Sequence, residues 1–529
     1  MPALASRRDF LRTSAIITGL SFVPRGLRAA GESATDTISI LHTTDLHGNI
    51  LPTSSYDGVE DLGGLARCAA QLRAWREANP HSLTVDAGDV YQGTQVGLST
   101  RGRVMIEAFN ELDYDAWVLG NHDFDWGLPA LETAIDQSHM PVLAANATIA
   151  GRPVQPGNKR TGLDGLQPFV IREVHGYRIA LIGITTPGIP YWLHPKMTGL
   201  FQPLDPVPPV HRAVEEAKRQ GADAIVLIGH MGHRSPFDDF ANRVNSIGAA
   251  FPDAAVYIGG HTHRDQASER VNGLPYTQAN YFGIHCGKVD LQFDRETRQL
   301  QRVQPMLAHM TPGMPLDPAV LSLAADDLEA ADTLLATVVG RFRTTFSTEQ
   351  PEGQPSMVEN LIGSAIAGML ENQRQVDGVW HGLFSEEPLV AGPVHIADLW
   401  KVIPYENQVV TARLTPEQLR LLVEEGWFAS RRSSRSLIGF QVRSDGQDER
   451  KRVSEIRHAN GEPLDPNRRY TIAFNSYDAV SGGQRMLRLR TLLGEPESRA
   501  QFHDKQTRTA LINFIRSRGE VGLEDLRWS

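Results

Sequence analysis

Five short segments of this 529-residue chain share one arrangement, in which an apolar run is followed at once by aspartate, histidine or asparagine. The segments are residues 41–49, 85–89, 119–125, 228–233 and 258–264. In an open α/β sheet, ligands bind beyond the carboxyl ends of the strands. If each apolar run is a strand, we therefore expect these five polar ends to meet in one crevice.

The polar residues in these segments are of the types that bind metal ions. Carboxylate, imidazole and amide oxygen together suit zinc, manganese, iron or a similar ion. Asp45 and His47 form an Asp-x-His pair, and His261 and His263 form a His-x-His pair. Donors spaced in this way lie on the same side of an extended segment, so that both reach one ion. One such pair alone is a weak signal, but five segments in order indicate a metal centre.

Short apolar runs alternate with helical patterns between about residues 37 and 307, which predicts an α/β fold class. Strands are predicted at residues 38–41, 83–85, 117–119, 142–144, 179–182, 225–228 and 255–258. One helix is predicted after Gly64. Two more are predicted from Pro129 and Pro209, because proline favours the first helical turn.

The chain length predicts two or three domains. We assign residues 37–308 to a first α/β domain and residues 309–341, rich in Ala, Leu, Asp and Glu, to a helical linker. Residues 342–529 form a smaller α/β domain. In that domain, helices are predicted near residues 357–370 and 416–425, and strands near residues 409–414 and 470–473.

Residues 1–31 differ from the rest of the chain and resemble a twin-arginine signal peptide. Arg7 and Arg8 precede Phe10, a mildly apolar run and a group of small residues. The run is too short and too polar to span a bilayer, and no second apolar stretch reaches that length. The resemblance implies a protein that the twin-arginine export machinery delivers to the periplasm or the medium, without a stable membrane anchor.

The formal net charge of −10 at pH 7 bears on the partners of this chain. An acidic protein lacks the basic surface that binds a nucleic-acid backbone, so we expect no nucleic-acid polymer as a partner. A small anionic substrate is compatible with this charge, because bound metal ions dominate the local field. The spacing of Cys68 and Cys286 leaves open whether they pair, and buried free thiols are favoured.

The order and the amino-acid sequences of the motifs resemble those of the calcineurin-like metallophosphoesterases. The motifs are Asp-x-His, Gly-Asp, Gly-Asn-His-Asp, Gly-His and Gly-His-x-His. Gly-Asn-His-Asp-Phe-Asp at residues 120–125 and Gly-Gly-His-Thr-His at residues 259–263 are similar to the 5′-nucleotidase family in particular. The resemblance implies a four-layer metallophosphoesterase sandwich at residues 37–308 and a 5′-nucleotidase-like substrate domain at residues 342–529.

The resemblance also implies which side chains hold two divalent metal ions, expected to be manganese, zinc or similar ions. Matched residue by residue, the ligands of the first ion are Asp45, His47, Asp89 and His263. The ligands of the second are Asp89, Asn121, His230 and His261, so that Asp89 bridges the two. A water between two such ions loses a proton at neutral pH. The reaction implied is attack of that bridging hydroxide on a phosphate ester.

His122 follows a predicted ligand and is expected to point away from the ions, because neighbours on an extended segment face opposite ways. The resemblance gives His122 the role of stabilising the transition state or protonating the leaving group. Asp125 is the residue that would orient His122, and Asp123 is the alternative. His42 lies within a predicted strand and is expected to be buried structure.

The second domain departs from the 5′-nucleotidase pattern, in which arginines bind the phosphate and two aromatic rings enclose the base. Residues 356–360 and 381–387 lack the expected arginines. Pro-Tyr-Glu replaces Pro-Phe-Gly at Tyr405, and Gly-Gly-Gln-Arg replaces Gly-Gly-Asp-Gly at Arg485. Tyr405 and Tyr477 remain candidates for stacking on a substrate, with plain interface packing as the alternative, and Arg485 for anchoring it.

These features predict an exported two-metal hydrolase that cleaves phosphate esters of nucleotides or related metabolites. The missing arginines argue against a plain 5′-nucleotidase. Two alternatives stay open: a 2′,3′-cyclic-nucleotide phosphodiesterase, and a thiosulfohydrolase-like enzyme of sulfur oxidation, which shares the metal domain and a twin-arginine signal. A binding protein that keeps the metals as structure is a further alternative. The complete ligand set and the His122–Asp125 pair count against it.

Overall fold

The structure is a computed structural model that describes residues 35–157, 161–371, 375–429, 435–446 and 450–528. The signal-like segment at residues 1–31 lies outside these ranges. Within them, no helix is both long enough and apolar enough to cross a membrane.

The first domain alternates strands and helices along the chain. Its strands are β1 (Thr35–Thr43), β2 (Ser82–Asp86), β3 (Ala116–Val118), β4 (Val142–Leu143), β5 (Ala147–Ile149), β6 (Arg152–Pro153), β7 (Phe169–Val174), β8 (Tyr177–Ile184), β9 (Phe201–Pro203), β10 (Ala224–Gly229), β11 (Val256–Gly259), β12 (Asp265–Val271), β13 (Leu274–Ala279), β14 (His285–Asp294) and β15 (Leu300–His309). Its helices are α1 (Leu65–Ala78), α2 (Gln95–Thr100), α3 (Arg103–Glu111), α4 (Leu128–Gln137), α5 (Pro195–Thr198), α6 (Val207–Arg219) and α7 (Val244–Ala250).

Two six-stranded sheets form the centre of this domain within the described residues. The first has the order β15-β14-β1-β2-β3-β4, and the second has the order β12-β13-β11-β10-β8-β7. Strands β1 to β4 run parallel to one another, as do β8, β10, β11 and β13. Parallel strands end at the same edge of a sheet, so the polar segments that follow them are brought together.

Apolar side chains fill the space between the two sheets, among them Ile40, Val85, Val118, Leu181 and Val226. Helices α1, α3 and α4 cover the outer face of the first sheet, and α6 and α7 cover that of the second. Burying each large aliphatic side chain contributes about 1.5–3 kcal/mol. The result is the four-layer α/β sandwich predicted from the sequence, with a smaller α/β domain behind it.

The helical linker predicted between the domains contains α8 (Pro318–Leu335). Asp317 caps the helix by accepting hydrogen bonds from the backbone N–H groups of Ala319 and Val320. Val320, Ala324 and Ala331 are buried in the core beside α3. The helix is therefore an outer layer of the first domain as well as a connection to the second.

The second domain is a smaller α/β unit. Its strands are β16 (Val338–Phe342), β17 (Gly378–Gly382), β18 (Gly392–His395), β19 (Gln408–Leu414), β20 (Arg435–Ile438), β21 (Phe440–Asp445), β22 (Arg452–His458), β23 (Tyr470–Asn475), β24 (Gln501–Gln506) and β25 (Glu520–Val521). Its helices are α9 (Met357–Leu370), α10 (Ile396–Val402), α11 (Pro416–Ala429), α12 (Ser476–Ala479), α13 (Leu487–Gly494) and α14 (Thr507–Arg518). The main sheet has the order β20-β17-β23-β19-β24, with helices packed on both faces.

Candidate metal centre

Two groups of possible metal ligands lie at the carboxyl ends of β1, β2, β10 and β11. Asp45, His47 and His263 form the first group, and Asp89, His230 and His261 form the second. Within each group the ligand atoms lie within 4.8 Å of one another. The structure thus brings six of the seven predicted ligands into two clusters of the composition expected from the sequence.

Asp89 lies between the two groups. Its Oδ2 atom is 3.1 Å from Nε2 of His230 and 3.7 Å from Nε2 of His47, which belong to different groups. Its Oδ1 atom accepts a hydrogen bond of 2.7 Å from the backbone N–H of His122. A carboxylate in this position can contact an ion on either side.

Asn121, the seventh predicted ligand, is almost fully buried, and its Oδ1 atom has no hydrogen-bond partner among the described residues. A buried side-chain oxygen without a partner is unusual in a native protein and costs about 1–3 kcal/mol. A cation at this position would satisfy the oxygen. Asn121 therefore fits the donor set of a metal site better than it fits a structural role.

Two of the histidines are held with Nε2 facing the centre. The Nδ1 atom of His47 lies 2.8 Å from the backbone oxygen of Gln92, and Nδ1 of His230 lies 2.8 Å from that of Ala87. A carbonyl oxygen accepts only, so in the neutral form of each ring Nδ1 carries the proton and Nε2 has the lone pair that can bind a metal. At His263, Nδ1 lies 3.1 Å from the hydroxyl of Tyr56, and Nε2 lies 3.2 Å from Nε2 of His47.

The backbone of the centre is strained. Asp45, His47, Asp89, His261 and His263 all have positive φ angles between 49° and 72°. Residues other than glycine adopt this region at a cost of order 1–3 kcal/mol each, and such residues cluster at functional sites. Tight turns directly after the strands aim the side chains inward. The extended segments expected from the sequence are therefore wrong here, and the two histidines of the His-x-His pair belong to different ligand groups.

Gly120 shows how closely the backbone approaches the centre. A Cβ atom placed on Gly120 would lie 2.1 Å from Oδ1 of Asp89. Any side chain at this position would push the carboxylate out of place. The glycine of the Gly-Asn-His-Asp motif is therefore required by packing against Asp89.

The charge states of two histidines of the centre agree with this arrangement, and that of a third does not. Burial lowers the pKa of His47 to about 4 and that of His261 to about 3, so both rings are neutral and can act as ligands at pH 7. Burial also opposes the charged form of His230, but the adjacent Asp89 carboxylate raises its pKa to about 9. Metal binding at Nε2 of His230 would release that proton.

His122 lies beside the two groups and pairs with Asp125. Its Nδ1 atom is 2.8 Å from Oδ2 of Asp125, and its ring lies 5.3 Å from that of His47. Burial lowers the pKa of His122, but the negative charges of Asp125 and Asp89 outweigh it and raise the pKa to about 10. His122 is thus held in one orientation and is able to donate a proton.

Asp123, the alternative partner of His122, is occupied elsewhere. Its carboxylate accepts hydrogen bonds from the backbone N–H groups of Asp89, Val90 and Gly120. These bonds tie the turn after β3 to the turn after β2. Asp123 therefore shapes the backbone around Asp89, and Asp125 is the residue that contacts the His122 ring.

One candidate in the second domain, Tyr405, lies beside the metal centre. Tyr405 is 39% exposed as a residue, and the centroid of its ring lies 6.2 Å from that of His122. Loss of solvation in the cleft and the nearby Tyr477 raise the pKa of Tyr405 to about 12, while the positive charge of Arg485 opposes this shift. The structure therefore places Tyr405 beside His122, with Tyr477 and Arg485 close enough to Tyr405 to shift its pKa.

The segments that lack the expected arginines have other roles. Ser356 and Glu359 form a capping box at the start of α9, in which each side chain accepts from the backbone N–H of the other. His381 is buried in β17, and its Nδ1 lies 2.7 Å from the backbone oxygen of Gly382. Neither segment supplies a cation to the cleft.

Some residues of the site carry no sequence signal. The carbonyl groups of Gln92 and Ala87 act through the backbone, which any residue has. Trp192 packs against His261, with ring centroids 4.9 Å apart, but a tryptophan in a loop has many explanations. Tyr56 stacks on Tyr281 beside His263. In the sequence, the only indication that the Tyr56 ring is exposed is its position among residues typical of turns.

Comparison with known proteins supports this description of the fold. Residues 38–265 match the family model of calcineurin-like phosphoesterases, and residues 336–489 match the 5′-nucleotidase C-terminal domain. A 5′-nucleotidase precursor from Thermus thermophilus superimposes with a TM-score of 0.67 at 22% identity, covering 92% of this chain and 97% of that one. The T. thermophilus sulfate thiohydrolase SoxB superimposes with a TM-score of 0.60 at 18% identity, covering 94% and 96%. At these identities the likeness concerns the fold alone.

A relative of known sequence is the 2′,3′-cyclic-nucleotide 2′-phosphodiesterase/3′-nucleotidase of Haemophilus influenzae. It is 28% identical over 320 residues, which cover 54% of this chain and 47% of the relative. The chain spans less than half the length of the first curated relatives that it matches.

The fold and the donor set resemble those of one class of proteins, the metal-dependent phosphoester hydrolases. More particularly, residues 38–265 are a calcineurin-like phosphoesterase domain, and residues 336–489 are a 5′-nucleotidase C-terminal domain.

Proposed function

We propose that this chain is an exported hydrolase that uses two divalent metal ions to cleave phosphate esters of nucleotides or related metabolites. The signal-like segment at residues 1–31 supports export, and fractionation of cells that express the full chain tests it. The observation that carries the catalytic proposal is the position of Asp89 between two groups of ligands.

The proposed ligands follow the two groups. Asp45, His47, Asp89 and His263 would hold one ion, and Asp89, Asn121, His230 and His261 would hold the other. Manganese and zinc both suit this mixture of carboxylate, imidazole and amide oxygen. Ions bound there would supply positive charge to the phosphoryl oxygens and generate a nucleophile from water at neutral pH.

The residues of the chain then orient the ester and move a proton. Asp125 holds His122 at Nδ1, and the His122 ring lies 5.3 Å from that of His47 and 6.2 Å from that of Tyr405, so Nε2 is the nitrogen proposed to act on the substrate. In its protonated form it donates a hydrogen bond to the developing charge or a proton to the leaving oxygen. General acid catalysis of this kind contributes about 10²–10⁴-fold.

The second domain is proposed to hold the remainder of the substrate. Tyr405 and Tyr477 offer aromatic surfaces, and Arg485 offers a positive charge beside them. A base stacked on an aromatic side chain gains about 1–3 kcal/mol.

The absence of the expected arginines from two segments of the second domain favours a second candidate function, hydrolysis of a cyclic phosphodiester. A terminal phosphate with two negative charges is usually held by bidentate arginine contacts, which residues 356–360 and 381–387 do not provide. A cyclic phosphodiester carries one negative charge and needs fewer cations. The 2′,3′-cyclic nucleotides are therefore the substrates that distinguish this candidate.

A substrate panel tests the proposal. We expect the purified chain with added Mn²⁺ or Zn²⁺ to hydrolyse at least one nucleotide, cyclic nucleotide or sugar phosphate, and to lose this activity after dialysis against a chelator. The panel also contains an S-sulfonated peptide, because turnover of that substrate alone would indicate a thiosulfohydrolase. A chain that binds two metal ions and hydrolyses no phosphate ester contradicts the proposal.

Replacing Tyr405 tests the role of the second domain. We expect Tyr405→Ala to raise KM for a nucleotide about 10-fold, from the loss of a stacking contact of about 1–3 kcal/mol, with a smaller change in kcat. Tyr405→Phe keeps the ring and should stay close to the wild type. The same KM shift with p-nitrophenyl phosphate, whose leaving group is small, would argue that Tyr405 shapes the metal centre and does not bind the base.

A further inference from the structure

A buried ion pair lies where the second domain meets the first. The side chains of Glu406 and Arg508 are only 3% and 5% exposed, and a guanidinium nitrogen donates to Oε1 of Glu406. Arg508 also donates to the backbone oxygen of Ile403 at 2.8 Å, and its guanidinium lies 3.5 Å from the centroid of the Trp400 ring. These contacts fix the Glu406 carboxylate firmly within the second domain.

The other oxygen of Glu406 reaches into the first domain. Oε2 accepts hydrogen bonds from Nε2 of Gln92 and from Nε1 of Trp126, each at 3.3 Å. Gln92 is 1% exposed, so its side-chain amide has no access to water. A carboxylate is suited to this position because it accepts from several donors at once.

Both residues that Glu406 contacts lead directly to the metal centre. The backbone oxygen of Gln92 accepts from Nδ1 of His47 and so sets the orientation of that ring. Trp126 follows Asp125, the partner of His122, and stacks on Tyr91 with centroids 5.1 Å apart. The loops that carry the orienting groups of His47 and His122 are therefore hydrogen-bonded to one carboxylate of the other domain.

We propose that Glu406 is a positioning residue, which fixes the Gln92 carbonyl against His47 and the Asp125–Trp126 turn beside His122. This inference rests on the proposed function, because it assigns His47 to a metal. It gives the second domain a role in building the centre as well as in holding substrate. Groups that orient a metal ligand typically change metal affinity by about 10–100-fold when they are removed.

The ion pair can be removed without leaving a buried charge. Replacing both residues, as Glu406→Met with Arg508→Met, substitutes apolar chains of similar volume, a change that is often neutral for stability. Gln92→Ala removes only the side-chain amide and keeps both the ion pair and the backbone oxygen that contacts His47. It therefore remains informative if the double variant does not fold.

Arg490→Ala serves as the matched control. Arg490 also crosses between the domains, donating to the backbone oxygen of Pro190 at 3.0 Å with its guanidinium 5.1 Å from the Tyr191 ring. It has no contact with Glu406, Gln92 or Trp126 among the described residues. A general loosening of the interface would appear in this variant too.

The experiment is a titration of the metal-free full chain with Co²⁺, in which binding is measured by the visible absorption of the bound ion. Hydrolysis of bis(p-nitrophenyl) phosphate is measured in parallel. We expect the wild type to bind two ions. Gln92→Ala and the double variant should each weaken the binding of one ion about 10-fold and shift its absorption bands. The triple variant combines Gln92→Ala with Glu406→Met and Arg508→Met. It should bind that ion no more weakly than the weaker-binding of the two variants, because both changes break the hydrogen bond between Gln92 and Glu406. Arg490→Ala should bind both ions within about twofold of the wild type, since it leaves that link intact.

Three results would overturn the inference. Folded Gln92→Ala and double variants that bind both ions as the wild type does would show that the pair only stabilises the interface. Additive losses in the triple variant would show that Gln92 and Glu406 act separately. Equal weakening in Arg490→Ala would assign the effect to domain contact in general. A wild type that binds two ions but hydrolyses no phosphate ester would contradict the proposed function and leave the positioning result standing.

Discussion

We expect Asp89→Asn to lose bound metal and hydrolysis together. Asp89 is the carboxylate that lies between the two ligand groups, 3.1 Å from Nε2 of His230 and 3.7 Å from that of His47. The amide keeps the size of the side chain but removes the negative charge that two adjacent cations require. Several kcal/mol of charge stabilisation depend on those ions, and each ~1.36 kcal/mol is tenfold in rate, so kcat/KM should fall by at least about 10³-fold. Elemental analysis of the purified chain and a rate assay check both parts.

Asp86→Asn is the matched control for this result. Asp86 is a fully buried carboxyl in the same segment, where it accepts from Thr43 and from the backbone N–H of Gly88. Burial raises the pKa of Asp86 well above its usual range, which favours the neutral acid that the amide resembles. We expect metal content and rate within a few-fold of the wild type. An Asp89→Asn chain that keeps two ions and more than a tenth of the activity would contradict the bridging role.

The α/β architecture and the composition of the centre could be predicted because both depend on short-range patterns. A parallel strand buried on both faces appears in the sequence as a short apolar run, and its carboxyl end is marked by the first polar residues. Strands β1, β2, β10 and β11 end in this way at residues 43, 86, 229 and 259. The predicted helix at residues 357–370 coincides with α9, since Ser356 and Glu359 give a capping signal of their own.

The supporting contacts could not be predicted, because they depend on backbone atoms or on distant residues. The oxygen that orients His47 belongs to the backbone of Gln92. Every residue type has this oxygen, so the sequence gives no sign of its role. Glu406 and Gln92 are 314 residues apart, and nothing local marks either as a partner. In the sequence, Glu406 stands out only because it replaces the glycine of the Pro-Phe-Gly motif of 5′-nucleotidases. The direction of its side chain could be known only from the folded structure.

The predicted cysteine alternatives illustrate the same limit. Cys68 on α1 and Cys286 on β14 are both fully buried and share a small cluster with Met310. Both are free thiols in this structure, in agreement with the interpretation favoured from their spacing. Their proximity comes from the packing of α1 against the first sheet, which no spacing of two residues 218 positions apart could reveal.

His122→Ala gives the second large effect, and it separates catalysis from metal binding. The ring contacts Asp125 through Nδ1 and lies beside His47 without belonging to either ligand group. Removing it deletes the proposed proton donor but none of the donors to the ions. We expect kcat to fall by about 10²–10⁴-fold, the usual contribution of a general acid, while metal content stays near that of the wild type.

The leaving group provides the control that a structural role of His122 would fail. A good leaving group such as p-nitrophenolate departs without a proton, whereas a ribose oxygen needs one. The loss in His122→Ala should therefore be much smaller with p-nitrophenyl phosphate than with a nucleotide. Asp125→Asn, which keeps a hydrogen bond to Nδ1 but removes the charge, should show the same dependence in weaker form. Equal losses on both substrates, or a loss of metal ions with the rate, would show that His122 holds the centre together and does not act on the leaving oxygen.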